Sequence, residues 1–335
     1  MVVEDLKIDG KLIKETIDKL GQLLSEFYVY PELATEMCRK LQTIFFDGVT
    51  RASTFCEEIT KQLQMISNDM HLHVSYNTAE EKPSNSNDRT ESSTDPRKTE
   101  LMLDNYGFVK VERLPGNIGY LELHAFAPPE IAGETAVSAM NFLANTSGMI
   151  IDLRKSGGWS PAMVAFLSSY LLGDSPVHLN DLYWRNTNIT QSSWSMPFVP
   201  GKRFGAYKPV IILTSKQTFS ASEEFAYNLQ AIKRAQVVGE ITGGGAHPGG
   251  VHRLNNYFEV FIPSGRAINP TTKTNWEGTG VLPDIEVNQE KAFDIAYDAI
   301  LQLGLEQMLE NPTCGEERLI QEMKSAMEYK RLNVC

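Results

Sequence analysis

Apolar side chains in the first 67 residues recur every three or four positions: at Ile13, Ile17, Leu20 and Leu24, then Leu33, Met37, Leu41, Ile44 and Phe45, then Phe55, Ile59, Leu63 and Ile66. Each set lays one stripe along a helix of 3.6 residues per turn, so three amphipathic helices are predicted. Pro31 and the Asp47-Gly48 turn supply the breaks between them. The pattern then stops. Residues 77–100, NTAEEKPSNSNDRTESSTDPRKTE, hold one apolar side chain, Ala79, in 24 positions. Such a stretch cannot recover by burial the entropy that ordering it would cost. It reads as a mobile polar insertion over 77–104, either a tolerated loop or a flap over a site.

From residue 105 the period changes. FVKVERL and IGYLELHAF alternate in strand fashion, GMIIDLR and PVIILTS are continuous apolar runs of the kind buried on both faces, and QVVGEIT and YFEVFIP follow. Helical stretches over 130–145, 160–172 and 219–234 lie between them, and residues 290–332 read as two closing helices. Strand and helix in alternation predict an α/β core with helices packed on a sheet. The expected organisation is a helical subdomain over 1–76, the polar insertion over 77–104, an αβ core over 105–310 and a helical tail over 311–335.

Composition narrows the function classes. With 335 residues, 42% of them hydrophobic, the chain can bury one large core or a core and a satellite domain. Thirty-one basic against 42 acidic residues leave a net charge of −11, and no basic run is long enough to follow a phosphate backbone, so nucleic acid is not expected as a partner. Cys38, Cys56, Cys314 and Cys335 are widely spaced and form no C-x-x-C pair, which points to reduced thiols rather than a disulfide framework or a zinc site. No apolar run reaches the roughly 18 residues that span a bilayer, and the first residues lack the pattern of a signal peptide. No membrane partner and a cytoplasmic location are therefore expected, the latter only if no leader was trimmed away.

The stretch LTSKQTFSASEEFAYNLQ, 213–230, places Thr218, Ser220 and Ser222 between a buried strand and a helix whose Phe225, Leu229 and Ile232 share one face. Two readings of Ser220 stand side by side. With Glu223 three residues later it forms the S-x-x-E pattern of a capping box. At a helix N-terminus it is also placed for nucleophilic chemistry, because free amides there can stabilise an oxyanion. The second reading needs a base. Of the histidines, His71 in NDMHLHV lies where the helical region meets a strand-like segment, and His247 in TGGGAHPGG sits in a glycine-rich loop that could approach a site. His124, His178 and His252 have no supporting context. His71 and His73, on one strand face with Asp69, form too short a ligand pattern to indicate a metal. IDLRKSGGW ends a buried strand in Gly157-Gly158, where backbone amides can approach a ligand closely, and Glu277 beside Trp276 could orient a histidine.

Taken in order, NDMHLHV, IDLRKSGGW, LTSKQTFSASEEFAY, VVGEITGGGAHPGG and NPTTKTNWEGTGVLPDIEV resemble peptidase family S41, in particular the branch that holds the tricorn core protease and the repeats of interphotoreceptor retinoid-binding protein. The resemblance runs to about residue 300. It implies a serine peptidase with a crotonase- or ClpP-like αβ core behind a helical subdomain, acting on peptide substrates without cofactor or metal. By position it assigns Ser220 as nucleophile, His71 as general base and Glu277 as support for the base. It assigns Ala221 with Gly157 and Gly158 as oxyanion donors; Gly244, Gly245 and His247, in the glycine-rich loop, are candidate substrate contacts. These types suit acyl transfer: a weak hydroxyl nucleophile, a base of near-neutral pKa, a carboxylate to hold it and donors aimed at developing charge.

Some positions depart from the family pattern. The C-terminal processing branch pairs its serine with a lysine 25 residues on, where this chain has Gly245, so a histidine mechanism is implied. No PDZ segment is evident, which suggests short peptides as substrates. Met70 stands where the tricorn protease has a serine, and Ser156 and Trp159 stand where many relatives have Asn and Gly. The alternative function is a non-catalytic module binding retinoids or fatty acids.

Overall fold

The computed structural model describes residues 5–44, 46, 48–76, 96–310 and 316–333. Most of the expected polar insertion, 77–95, lies outside the described residues, as do Phe45, Asp47, Cys314 and Cys335. In chain order the elements begin with α1 (Gly10–Phe27), α2 (Pro31–Leu41), α3 (Ala52–Ser67) and β1 (His73–Tyr76). There follow α4 (Pro96–Leu103), β2 (Phe108–Leu114), β3 (Ile118–Leu123), α5 (Pro129–Leu143), β4 (Gly148–Asp152) and α6 (Pro161–Leu171). Next come β5 (His178–Trp184), β6 (Ile189–Trp194), β7 (Val210–Thr214), α7 (Ala221–Ala231) and β8 (Gln236–Gly239). The chain ends with β9 (Gly249–Arg253), β10 (Phe258–Pro263), β11 (Gly265–Ile268), β12 (Ile285–Glu286), α8 (Gln289–Glu310) and α9 (Glu317–Asn333).

These elements form two compact units, and neither follows the segmental scheme expected above. The first joins residues 1–93 to 181–191 and 245–268; the second holds 94–180, 192–244 and 269–335. The closing helices therefore belong to the second unit rather than forming a separate tail, and α4 occupies the end of the segment expected to be an unstructured insertion.

In the first unit the three predicted helices form where expected, each with a local cause. The Asp9 carboxylate accepts from the Leu12 N–H at 2.8 Å and caps α1, and Pro31 opens α2, where its missing N–H costs nothing. Asn68 ends α3 in the left-handed region, a conformation asparagine tolerates, and turns the chain into the Asp69-Met70-His71 segment. The stripes of the helices bury Leu20, Leu24, Met37, Phe55, Ile59 and Leu63 against Phe258, Val260 and Ile262 of β10. That strand is the centre of an antiparallel sheet, order β1-β10-β9. Each such side chain, fully buried, contributes about 1.5–3 kcal/mol.

The second unit is built on a six-stranded sheet, order β12-β8-β7-β4-β3-β2. From β3 to β12 the strands are parallel and step in one direction across the sheet, with β2 antiparallel at the edge. β4 and β7 are buried along their whole length, which explains their unbroken apolar sequences. The loops after β4, β7 and β8 leave from the carboxyl ends of three adjacent strands, the edge at which open α/β sheets hold their ligands.

Candidate functional site

Ser220 lies at the end of the loop from β7 into α7, half-buried, with φ +58° and ψ −124°. A residue that only caps a helix sits in the extended region. A non-glycine residue at positive φ costs about 1–3 kcal/mol and persists only where its surroundings enforce it. Here they do. The Thr218 hydroxyl donates to the Leu153 carbonyl at 2.8 Å and the Phe219 N–H to the Ser156 carbonyl at 3.0 Å. The Ser215 hydroxyl donates to the Arg154 carbonyl, and the Ser222 and Ser156 hydroxyls meet at 2.6 Å. The hydroxyls flanking Ser220 thus fasten the turn after β7 to the turn after β4. The expected capping box is present as well, with the Ser220 N–H donating to Glu223 at 2.8 Å.

The turn after β4 is itself anchored by a pair that sequence reasoning passed over. Buried Asp152 accepts from the Tyr120 hydroxyl at 2.7 Å and from the Arg154 guanidinium at 2.5 Å. Burial raises the Asp152 carboxyl, but the Arg154 and Tyr120 hydrogen bonds outweigh it and hold the group below its usual range. Beyond this anchor Gly158, at φ +88°, packs so tightly on the nucleophile turn that a Cβ there would fall 2.6 Å from the Ala221 nitrogen and 2.8 Å from the Ser220 Cβ. Among the described residues neither the Gly158 nor the Ala221 N–H has a protein acceptor. The Gly157 N–H, by contrast, donates to the His124 carbonyl at 3.0 Å. The adjacent Trp159 adopts φ +134° and leaves its ring half exposed.

Gly244 and Glu277 belong to the same unit. The Gly244 N–H donates to the Glu223 carboxylate at 2.7 Å and its carbonyl accepts from Gly278 at 2.9 Å, so both of its polar backbone groups are engaged internally rather than offered to a ligand. Glu277 is half-buried in a turn whose N–H donates to Asn275 at 2.9 Å, beside the buried Trp276 ring.

His71, His247 and Gly245 lie in the first unit. His71 is not on a strand face with His73, as the spacing suggested; it occupies the turn ahead of β1, and its N–H donates to the Asp69 carboxylate at 3.2 Å. His73 begins β1, exposed, and stacks on Phe261. Burial pulls His71 down to about 4, and the nearby Asp69 carboxylate only partly offsets this. The imidazole is therefore neutral, and able to accept a proton, across the physiological range. His247 is fully buried, and its Nδ1 lies 2.8 Å from the Asp69 carboxylate, which also accepts from the Tyr28 hydroxyl at 3.1 Å. Asp69, considered in the sequence only as a metal ligand, is thus the acid of a buried carboxylate-histidine pair. Its partners are 41 and 178 residues away, beyond any local pattern. His124 pairs with Glu122, His178 stacks on Trp194 and His252 packs on Phe27, which gives each a structural role.

Comparison with known proteins gives this arrangement a family. The model of peptidase family S41 matches residues 117–287, just over half of the chain, and the model described as the N-terminal domain of peptidase S41 in eukaryotic IRBP matches residues 10–109. The chain belongs to peptidase family S41 and is a serine-type peptidase, a hydrolase whose substrates are peptides. A candidate peptidase from Parabacteroides merdae superposes with a TM-score of 0.61 at 17% identity, covering 86% of this chain and 96% of that one. A lipoprotein from Streptococcus agalactiae does so with a TM-score of 0.52 at 12% identity, covering 90% and 99%. The tricorn protease gives a TM-score of 0.51 at 13% identity, covering 88% of this chain and 37% of its own. At these identities the likeness is one of fold, and the fold is the expected mixed α/β one with a helical N-terminal region.

Proposed function

We propose that the protein cleaves short peptides, with Ser220 as the nucleophile, His71 as the general base and Glu277 supporting the base. The observation that carries the reading is the backbone of Ser220. It combines positive φ, the carboxyl end of a buried parallel strand and the close approach of Gly158, as in the nucleophile elbows of other hydrolases. In the proposed reaction neutral His71 takes the proton from Ser220 Oγ as that oxygen attacks the substrate carbonyl carbon. The N–H groups of Gly158 and Ala221 receive the developing oxyanion; Gly157 is left out because its N–H is already committed. The imidazolium returns its proton to the leaving amine, and water then hydrolyses the acyl-enzyme with the same histidine as base.

A second reading keeps Ser220 and moves the base to His247. The buried Asp69–His247 pair favours it, since a carboxylate at Nδ1 fixes the tautomer that leaves Nε2 as acceptor. Hydrolysis of a fluorogenic short-peptide library tests both. Ser220→Ala is expected to lose about 10⁶-fold in kcat, and His71→Ala nearly as much. A larger loss in His247→Ala than in His71→Ala would transfer the base role. Wild type inert on every peptide, yet binding retinoid or fatty acid, would overturn the peptidase reading in favour of the carrier. Equal cleavage of a folded protein would sink the restriction to short peptides.

A further inference from the structure

Glu223 is fully buried, and its carboxylate is shared between two loops. One oxygen accepts from the Ser220 N–H at 2.8 Å. The other accepts from the Gly244 N–H at 2.7 Å and from the Thr242 hydroxyl. The first contact alone would make Glu223 an ordinary capping-box glutamate. The other two exceed what capping needs, because they reach out of α7 to the loop after β8.

The network continues. The Thr242 hydroxyl also accepts from the Val281 N–H at 2.7 Å, and the Gly244 carbonyl accepts from Gly278 at 2.9 Å. Thr242 and Gly244 therefore hold both ends of the 278–281 segment, the turn that presents Glu277. On the other side the Gly243 N–H donates to the Thr218 carbonyl at 3.0 Å, tying the same loop back to the nucleophile turn. A buried carboxyl group that accepts from these three donors is a stiff link and not a surface contact.

We infer that Glu223 is a positioning residue that sets Ser220 and Glu277 in register through a single buried carboxylate, holding the positive-φ backbone of the serine on one side and the Thr242–Gly244 loop on the other. The inference rests on the proposed role of Ser220. It does not make Glu223 a participant in proton transfer; the residue acts on the reacting groups through the backbone.

The test is the second-order rate of acylation by a fluorophosphonate, with kcat and KM on a peptide substrate, in wild type and Glu223→Gln. The amide matches the carboxylate in size but presents an NH2 group where three donors converge. The expected result is a folded variant whose acylation rate and kcat fall about 10- to 100-fold, the cost of a displacement near 1 Å, while KM changes little. A folded Glu223→Gln that acylates and turns over like wild type overturns the inference and leaves the nucleophile assignment intact. Failure of the wild type to acylate overturns the nucleophile assignment itself, and this inference with it. Should Glu223→Gln not fold, the comparison passes to Thr242. Thr242→Val is expected to lose activity and Thr242→Ser, which restores the hydroxyl, to recover most of it; equal activities in the two would overturn the inference.

Discussion

Ser220 and His247 are both held tightly, but by different means. Around Ser220 the hydrogen bonds come from a short stretch of sequence, Ser215, Thr218 and Ser222, to the neighbouring turn at 153–156, and most join neutral groups. Around His247 a single buried carboxylate, Asp69, gathers a hydroxyl and an imidazole from distant parts of the chain. Glu223 apart, a nucleophile turn fixed by several modest hydroxyl bonds should tolerate the loss of any one of them. A histidine held through a buried carboxylate should be more sensitive, because removing that carboxylate takes away the acceptor at its Nδ1. The contrast suggests where activity is fragile and where it is robust.

The largest effect expected outside Ser220 and the histidines themselves is from Asp69→Asn. If the Asp69–His247 pair serves the base, kcat falls by up to about 10⁴-fold with the fold intact, as when the acid of a triad is neutralised; a variant with unchanged kcat would reduce the pair to a structural one. Gly158→Ala comes next. Its Cβ would meet backbone atoms of Phe219 and Ala221 at 2.7 and 2.6 Å, at a φ of +88°, so the turn must shift. Loss of about 10²-fold in kcat and of a few kcal/mol in stability is expected, read by peptide hydrolysis and denaturant unfolding. Wild-type values in both would show that the elbow is looser than its packing indicates.

Two pH dependences sharpen the comparison. With His71 drawn down to about 4 by burial, kcat/KM should hold its plateau well below neutrality and fall with a midpoint near 4. A midpoint at the ordinary histidine value, near 6.5, would place the titrating base elsewhere. The neutral form is favoured in the folded state, so His71 also removes stability as pH falls from about 6.5 towards 4. Glu224 has the opposite sign. Burial lifts its carboxyl to about 7, partly offset by the Asn180 and Asn228 side chains, so the folded protein keeps a proton that the unfolded chain has released. Its contribution is full below the unfolded value near 4.5 and is lost as pH rises to 7, a decline of about 3 kcal/mol. Glu224→Gln should flatten that part of the stability profile, and an unchanged slope would assign it to another group. The smallest effect belongs to the robust side: Ser222→Ala removes the 2.6 Å bond to Ser156 and should cost about 1 kcal/mol with little change in turnover.

Much of this arrangement was legible because it is local. The amphipathic stripes marked α1 to α3, the unbroken apolar runs marked β4 and β7, and the spacing of Ser220, Glu223 and Phe225 marked the elbow and the start of α7. Other elements carry no such mark. β6, ITQSSW, is exposed along nearly its whole length, β9 begins with two glycines, and β12 is two residues long. These strands are held by backbone pairing, to which a hydrophobic pattern is blind. The discontinuous first unit was hidden for a related reason: residues 245–268 read as part of the core by their alternation, and only the pairing of β10 with β1 joins them to the helical segment. The Asp69–His247 pair, 178 residues apart, had no signal in a single sequence at all.

The most direct measurement is intact-mass and peptide mapping of the folded protein after reaction with a fluorophosphonate, beside Ser220→Ala and Ser222→Ala. One adduct is expected on wild type and on Ser222→Ala, mapped to Ser220, with none on Ser220→Ala. A folded wild type that takes no adduct, or one that carries it on Ser222, would contradict the assignment of Ser220 as the nucleophile.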